Sequence, residues 1–256
     1  MNQRERKATD GIRMQFPRIN RLRASLALML LWSASVVCLA DFSHLRFDLV
    51  LDQAEPIGAS GDNTFEDVQV FPPGALTIED GALDFPGDEN NQLLVKGIAE
   101  LFQEGESWTV VVRGKTKNLT RSQIAISLAA SNEQKDRIFE LQIRPDRPDI
   151  FAATGGDGSG FLRGAAVALD PDGAFFAAFS YNATDETMTI LADEAVNVID
   201  VKHLAYPLPD EILRLGAFRT GSGSLEGEIS MLRIYDVALD EADLHQIAGG
   251  SGDIPR

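Results

Sequence analysis

Two glutamates near the end of the chain have the spacing of a carboxylate pair on one β-strand. Glu226 and Glu228 are two residues apart, so both side chains would project from the same face of a strand. Glycosidases use two carboxyl groups, about 5–5.5 Å apart when configuration is retained and about 6.5–9.5 Å apart when it is inverted. Gly227 separates the two glutamates, and no third acid follows. We therefore interpret the pair as an exposed acidic strand edge and keep catalysis by Glu226 and Glu228 as the alternative.

The histidines do not extend this chemistry. His44, His203 and His245 lie far apart in the sequence, and none has a Ser or Cys nucleophile pattern nearby. A triad needs a nucleophile, a histidine base and an orienting acid that converge, so no triad is predicted. We name no catalytic residue beyond the glutamate alternative and do not predict an enzyme.

Aromatic and acidic side chains near turns are the candidates for ligand binding. Sugars bind to exposed aromatic rings because a ring face offers a large contact area. Tyr181 and Tyr206 lie near turns and are the predicted aromatic residues of a binding rim. Trp108 lies inside an apolar strand run and is predicted to be in the core. Asp157, in a glycine-rich loop, is the third ligand-binding candidate.

A run of three polar residues is the candidate metal site. Asp88, Glu89 and Asn90 offer the carboxylate and amide oxygens that Ca²⁺ prefers. Acidic turn residues that are simply solvated are the plainer interpretation, because the whole chain is acidic. We therefore predict no cofactor and keep calcium at this loop as the alternative.

The first forty residues have the pattern of a signal peptide. Basic residues precede an apolar run at 26–39, which is shorter than the roughly 20 residues needed to span a bilayer. Small residues at Cys38 and Ala40 place the predicted cleavage before Asp41. Met14 is an alternative start, and lipidation at Cys38 is an alternative fate that the bulky valine before it disfavours. The prediction is an exported chain, secreted or periplasmic, with no membrane span after cleavage.

The charge of the chain excludes several classes of partner. With 23 Lys and Arg against 39 Asp and Glu, the 256 residues carry a net charge of −16. Residues 1–40 hold seven basic and two acidic residues, so 41–256 keep 16 basic against 37 acidic residues, a net charge of −21, and no cysteine. Nucleic acid and anionic lipid surfaces bind to basic patches. Anionic polysaccharides also become poorer ligands than neutral glycans or basic protein surfaces.

Short strands separated by turns account for most of the remaining sequence. Runs rich in β-branched and aromatic residues predict strands at 45–51, 82–85, 92–95, 107–113, 123–129, 137–143, 175–181, 187–192, 212–218 and 228–235. Phe175 and Phe176 are adjacent in one of these strands, so alternation would bury only one of them. One helix is predicted after Asp240, because Leu244 and Ile247 would share a face. His245 on this helix should face solvent.

Two glycine-rich segments, 154–160 and 220–224, are interpreted as loops. Neither fits the GxGxxG pattern or lies between a strand and a long helix, so a nucleotide-binding loop is not predicted. Strands, turns and one terminal helix together predict an all-β domain at 41–250. Its fold would be a two-sheet antiparallel β-sandwich, or jelly roll, followed by a loose tail at 251–256.

Residues 227–247 resemble the closing motif of the laminin-G and pentraxin branch of the concanavalin A-like domains. In that motif a glycine opens a strand that ends in an apolar pair, and an Asp or Asn, a leucine and an acid-capped helix follow. The matching positions are Gly227, Ile229, Ile234, Tyr235, Asp236, Leu239 and Leu244. The resemblance implies a jelly roll over about 47–247, a fold that carries lectins, glycosidases, lyases and protein-binding modules.

The sequence departs from the proteins it resembles at two functional positions. The Glu-x-Asp-x-x-Glu type of motif in related glucanases is absent, and the place of the pentraxin calcium cluster, 217–220, reads Ala-Phe-Arg-Thr without a carboxylate. We therefore predict an exported, non-catalytic binding module that recognises a glycan or an extracellular protein. The alternatives are a glycoside hydrolase or polysaccharide lyase with unrecognised acids, and a structural cell-envelope component.

Overall fold

A computed structural model describes residues 44–49, 68–71, 76–88, 91–145, 147, 149–207 and 211–249. Its strands are β1 (Leu45–Asp48), β2 (Val68–Phe71), β3 (Thr77–Glu79), β4 (Ala82–Pro86), β5 (Gln92–Val95), β6 (Trp108–Thr116), β7 (Gln123–Ala129), β8 (Arg137–Arg144), β9 (Asp149–Thr154), β10 (Arg163–Ala168), β11 (Ala174–Asn182), β12 (Thr187–Ala192), β13 (Ala195–Asp200), β14 (Leu213–Leu215) and β15 (Glu226–Tyr235). One α-helix, α1 (Glu241–Ala248), follows the last strand. Short 3₁₀ turns occur at Ile98–Leu101 and Gln134–Asp136.

These strands form two antiparallel sheets. Sheet A has the order β13-β12-β11-β6-β15-β4-β3, and β1 also pairs with β15. Sheet B has the order β10-β9-β8-β7-β14-β5-β2. The chain crosses between the sheets after β1, β2, β4, β5, β6, β10, β13 and β14, so neighbours in sequence often lie in opposite layers. The predicted all-β sandwich of two antiparallel sheets with one short C-terminal helix is confirmed.

The main core lies between the two sheets. Alternate residues of β6 (Trp108, Val110 and Val112) are buried in this core, as strand periodicity requires. Trp108 is fully buried, as predicted, and its ring lies 4.9 Å from the ring of Phe102 and 5.6 Å from that of Phe139. Such aromatic contacts add to the free energy gained by removing apolar surface from water.

A second apolar layer covers the outer face of sheet A. The apolar side of α1 packs there on residues of β6, β11 and β15. Alternation predicted that only one of Phe175 and Phe176 would be buried, and this prediction is wrong. Phe175 lies in the core between the sheets, while Phe176 points outward and is buried by the layer beneath α1.

The helix ends are fixed by specific hydrogen bonds. Asp240 caps the start, since its Oδ1 accepts a hydrogen bond from the Asp243 amide at 2.9 Å. Arg113 of β6 donates from Nη2 to the carbonyls of Ile247 and Ala248 at 2.9 and 2.6 Å. A cation at the helix C-terminus also favours the helix dipole. The predicted helix, its cap and the exposed position of His245 are confirmed.

The structure differs from the sequence prediction in two further respects. It contains strands β2, β3, β9, β10 and β13, which the pattern of apolar residues did not predict. It also places β15 between β6 and β4, in the interior of sheet A. Glu226 and Glu228 therefore do not lie on a strand edge, as the sequence interpretation had them, but on the solvent side of an inner strand.

No helix within the described ranges is long and apolar enough to cross a membrane. The predicted signal peptide at 1–40, with Met14 and Cys38, and the tail at 251–256 lie outside the described residues.

Candidate functional site

A polar pocket lies beside the end of β6, where three loops meet. Its lining comes from Gly87 after β4, Arg121 and Ser122 between β6 and β7, and residues 220–224 before β15. The cavity has a volume of about 340 Å³. We call it the rim pocket. Four of its lining side chains are hydroxyls, and Arg121 supplies the one charge among the lining residues.

A buried glutamine helps to join two of the three loops. Gln123, at the start of β7, donates from Nε2 to Thr116 Oγ1 at 3.0 Å and accepts the Glu226 amide at 2.7 Å. The next residue, Ile124, donates its amide to the carbonyl of Gly223 at 2.7 Å. These bonds join the end of β6, the start of β7 and the start of β15, so the pocket has a fixed frame.

Gly87 permits the close approach that shapes the pocket. Its φ of +83° favours glycine, and a Cβ at this position would lie 2.4 Å from Arg121 Nη2 and 2.7 Å from Glu226 Cβ. Without that side chain, Arg121 Nη2 donates to the carbonyl of Gly87 at 2.7 Å and to that of Ser224 at 3.1 Å. The guanidinium is therefore held against two loops by backbone acceptors.

Two buried polar atoms of the pocket have no hydrogen-bond partner among the described residues: Arg121 Nε and Ser224 Oγ. Ser224 is 7% exposed as a whole residue. A buried polar group without a partner costs about 1–3 kcal/mol, so a small shift of the lining that brought either atom within reach of a ligand group would recover that free energy. Buried donors and acceptors that converge on a cavity are typical of a binding site.

The structure separates the two candidate catalytic glutamates. Glu226 lies beside the rim pocket: its Oε2 accepts a hydrogen bond from Asn118 Nδ2 at 2.8 Å and lies 3.6 Å from Arg121 Nη2. Glu228 is paired across the sheet with Lys115 and Asp84 and does not line the pocket. The two carboxylates share a strand face, but only Glu226 is near the cavity.

The candidate calcium loop adjoins the same pocket. Asp88 follows Gly87 and is exposed, whereas Glu89 and Asn90 lie outside the described residues. Within the described part of the chain, no three His, Cys, Asp or Glu side chains are grouped so that they could hold a metal ion.

The two candidate tyrosines have different environments. Tyr181 is 3% exposed and its ring lies 5.7 Å from that of Trp108, so it belongs to the core and offers no surface to a ligand. Burial and a hydrogen bond with Tyr206 raise the pKa of Tyr181 above its ordinary value. Tyr206 is half-buried and lines a second cavity of about 510 Å³ with Phe102 and Glu104. This cavity adjoins the Trp108 end of β6, away from the rim pocket.

Asp157 organises its own loop. Its Oδ1 accepts the Ser159 amide at 2.8 Å, and its Oδ2 accepts from Arg163 Nε at 3.2 Å. Burial opposes ionisation of Asp157, but the hydrogen bonds from Ser159 and the charge of Arg163 outweigh it and hold the pKa below its usual value. Asp157 lines neither cavity, so the structure does not bring the three predicted ligand-binding residues together.

Sequence reasoning missed Arg121 and Ser122 and interpreted 220–224 only as a glycine-rich loop. No local pattern marks Arg121, because its partners lie 34 and 103 positions away along the chain. The cluster of small and hydroxyl residues at 220–224 could be seen in the sequence. The sequence did not show that the loop with Arg121 and Ser122 lies beside it.

No protein-family model and no curated protein sequence matches the chain. Solved structures similar to it include a Trypanosoma rangeli sialidase (11% identity, TM-score 0.60, 91% of this chain and 39% of that one). The receptor binding domain of botulinum neurotoxin D (13% identity, TM-score 0.58, 81% and 53%) and the binding domain of Paraclostridial mosquitocidal protein 1 (13% identity, TM-score 0.58, 82% and 52%) are also similar. The chain spans about half of each of these two binding domains and about two fifths of the sialidase. At these identities the likeness shows the β-sandwich fold alone.

Proposed function

We propose that the chain is an exported, non-catalytic binding module of the concanavalin A-like class that binds a glycan in the rim pocket. The observation that carries the proposal is the pocket itself, which is lined by four hydroxyl side chains and Arg121. Two atoms of its lining, Arg121 Nε and Ser224 Oγ, are buried and have no hydrogen-bond partner among the described residues. Sugars present dense hydroxyl groups that both donate and accept hydrogen bonds, which matches such a lining.

The size of the pocket limits the ligand. Small-molecule sites usually have volumes of about 300–1,000 Å³, and the rim pocket, at about 340 Å³, is near the lower end. We therefore expect it to hold one or two sugar rings at the end of a glycan. The rest of a longer chain would extend into solvent.

Three further observations support the parts of this proposal that go beyond the pocket. The closing motif at 227–247 supports the laminin-G-like assignment, and the apolar run at 26–39 supports export to the periplasm or the cell exterior. Two structures with a similar sandwich are the receptor binding domain of botulinum neurotoxin D and the binding domain of Paraclostridial mosquitocidal protein 1. This likeness adds only that the fold serves binding in those proteins.

A matched pair of glycine variants tests binding at the rim pocket. Gly87→Ala would place a Cβ against Arg121, whereas Gly81→Ala, at a similar φ of +76°, would place its Cβ in open space. Both variants carry the same type of backbone strain, so only the first should alter the pocket. We expect protein purified from the full chain to bind a glycan on an array, Gly87→Ala to lose that binding and Gly81→Ala to keep it.

The results that would count against the proposal are specific. Glycan binding that survives Gly87→Ala would place the site elsewhere. No glycan binding at all, together with stable co-purification of one protein partner, would favour an extracellular protein ligand or a structural role in the cell envelope.

An enzyme remains the second candidate function because Glu226 lies beside the cavity. A glycoside hydrolase or polysaccharide lyase would need an acid there that acts on the substrate. Turnover of a polysaccharide by the wild-type protein, abolished by Glu226→Gln, would replace the binding proposal with this one.

A further inference from the structure

We infer that the rim pocket recognises a sugar that bears a carboxylate, and that Arg121 is the residue that selects it. This inference rests on the proposed function of the same pocket, and it names the class of glycan.

The hydrogen bonds of Arg121 go to backbone carbonyls and not to a carboxylate of the described residues. Its Nη2 donates to the carbonyls of Gly87 and Ser224, and no hydrogen bond joins its guanidinium to a carboxylate of the described residues. The nearest carboxylate oxygen, Glu226 Oε2, is 3.6 Å from Nη2 and accepts its hydrogen bond from Asn118 instead. The charge of Arg121 is therefore only weakly compensated.

Other arginines in the same structure show what a fully paired guanidinium looks like. Arg137, Arg144 and Arg219 each hydrogen-bond both oxygens of one carboxylate, those of Glu140, Asp149 and Glu211 respectively. Acidic residues are in large excess in this chain, so the supply of carboxylates does not explain the different state of Arg121. The planar donors of a guanidinium match a carboxylate in two-point contact, whereas among the described residues Arg121 has only a looser ion pair with Glu226, at 3.6 Å and without a hydrogen bond.

The surroundings of Arg121 in the pocket are rich in hydroxyl groups. Side-chain hydroxyls line the same cavity: Ser122, Thr220, Ser222 and Ser224. Thr220 Oγ1 and Ser222 Oγ hydrogen-bond to each other at 2.8 Å, and the buried Ser224 Oγ has no hydrogen-bond partner among the described residues. One positive charge beside several hydroxyls matches a molecule with one carboxylate beside several hydroxyls. A uronic acid has this chemistry.

The negative charge of the whole chain limits how many charges a ligand of the pocket can carry. A net charge of −21 over 41–256 repels polyanions. Repulsion between exposed charges is largely screened beyond about 8 Å at physiological ionic strength, so it acts on the extended part of a ligand more than on the group inside the pocket. We therefore expect an isolated acidic sugar on an otherwise neutral glycan to bind better than a chain in which every residue is charged.

Calorimetric titration with matched sugars tests the inference. The probes are a disaccharide ending in glucuronic or galacturonic acid, its methyl ester, and the disaccharide with the corresponding neutral hexose. We expect the wild-type protein to bind the acid at least tenfold more tightly than the ester. Arg121→Ala should reduce this ratio to about one, and Arg121→Lys should give an intermediate ratio because it keeps the charge but loses the planar donors. Arg147→Ala is the control, because it removes one exposed arginine at the β8–β9 turn that does not line the pocket. It should leave the ratio unchanged.

The outcomes separate this inference from the proposal on which it rests. Equal binding of acid, ester and neutral sugar, all lost in Gly87→Ala, would overturn the carboxylate inference and leave glycan binding intact. A preference for the acid that persists in Arg121→Ala would also overturn it. Absence of binding to every probe and to every glycan on an array would overturn both. Equal thermal unfolding temperatures of Arg121→Lys and the wild type would exclude misfolding as the cause of a lost preference.

Discussion

Glu226→Gln is the substitution that most sharply divides a binding role from a catalytic one. The change removes a carboxylate 3.6 Å from Arg121 Nη2, and the amide oxygen of the new side chain can still accept the hydrogen bond from Asn118. If Arg121 selects a carboxylate, Glu226 competes with the ligand for the same cation. We therefore expect the variant to bind an acidic sugar more tightly than the wild type, whereas a catalytic Glu226 would lose turnover on the same substitution.

The size of the effect follows from the exposure of the pair. The side chains of Arg121 and Glu226 are 40% and 38% exposed, so solvent screens the interaction strongly. Ion pairs of this type contribute about 0.2–1 kcal/mol, which corresponds to roughly a 1.4- to 5-fold lower Kd, since about 1.4 kcal/mol is tenfold. Added salt should shrink the gain because it screens exposed charges.

The assay is calorimetric titration of the glucuronic acid disaccharide at low and high salt. Glu228→Gln is the matched control, because it removes the same charge from the same strand, whereas Glu226 and not Glu228 forms an ion pair with Arg121. The reasoning would be refuted if Glu226→Gln weakened binding of the acid, or if Glu228→Gln strengthened it equally. In the latter case the gain would come from net charge alone.

Four predictions concern stability. Glu140 is fully buried and its two oxygens accept hydrogen bonds from Arg137 Nη1 at 2.7 and 2.8 Å, so Glu140→Ala should cost about 1.5–3 kcal/mol of unfolding free energy in urea denaturation. Burial raises the pKa of Glu140 despite the opposing charge of Arg137, so the folded protein retains this proton above pH 4.5, where the unfolded carboxyl has lost it. The free energy of unfolding should therefore fall as the pH rises from about 4.5 towards the folded pKa, and Glu140→Gln should remove that fall. Equal slopes of unfolding free energy against pH in the variant and the wild type would contradict this prediction. Phe176→Ala should lower the free energy of unfolding by about 3–5 kcal/mol, because it leaves a cavity in the apolar layer under α1. Asp240→Ala should lower it by about 0.5–2 kcal/mol, because it removes the helix cap. Thermal unfolding of each variant measures the loss.

Local patterns predicted those parts of the fold that local chemistry determines. The strand at Trp108 was visible because its β-branched and aromatic residues suit a pleated, buried surface. The helix after Asp240 was visible because a cap and two apolar residues three apart are sufficient to mark it. The alanine-rich strands β9 and β10 were not, because alanine has little strand preference and marks neither face strongly.

Tertiary packing determines the burial and the neighbours of side chains that those local patterns could not predict. Phe176 points away from the core between the sheets, and only the helix that folds over it makes it buried. Glu226 and Glu228 have the alternation of a solvent-facing strand, but the pairing order that puts β15 between β6 and β4 depends on residues more than a hundred positions away. Sequence periodicity sets which face a side chain occupies, and the order of strands sets what lies beside it.

The same distinction applies to the ligand. The excess of acidic residues predicts that anionic glycans are poor ligands, because Coulomb repulsion acts over most of the surface. Within the rim pocket the deciding quantity is the hydrogen bonding of one guanidinium, whose backbone acceptors hold it in place without neutralising it. Glu226 would neutralise Arg121 if it came within hydrogen-bonding distance, but Asn118 holds its Oε2 by a hydrogen bond of 2.8 Å. Asn118→Ala should therefore release Glu226 towards Arg121 and weaken binding of the acidic sugar without changing binding of its methyl ester. Calorimetry of the two probes measures this, and an equal loss for both would mean that Asn118 supports the shape of the pocket rather than its charge.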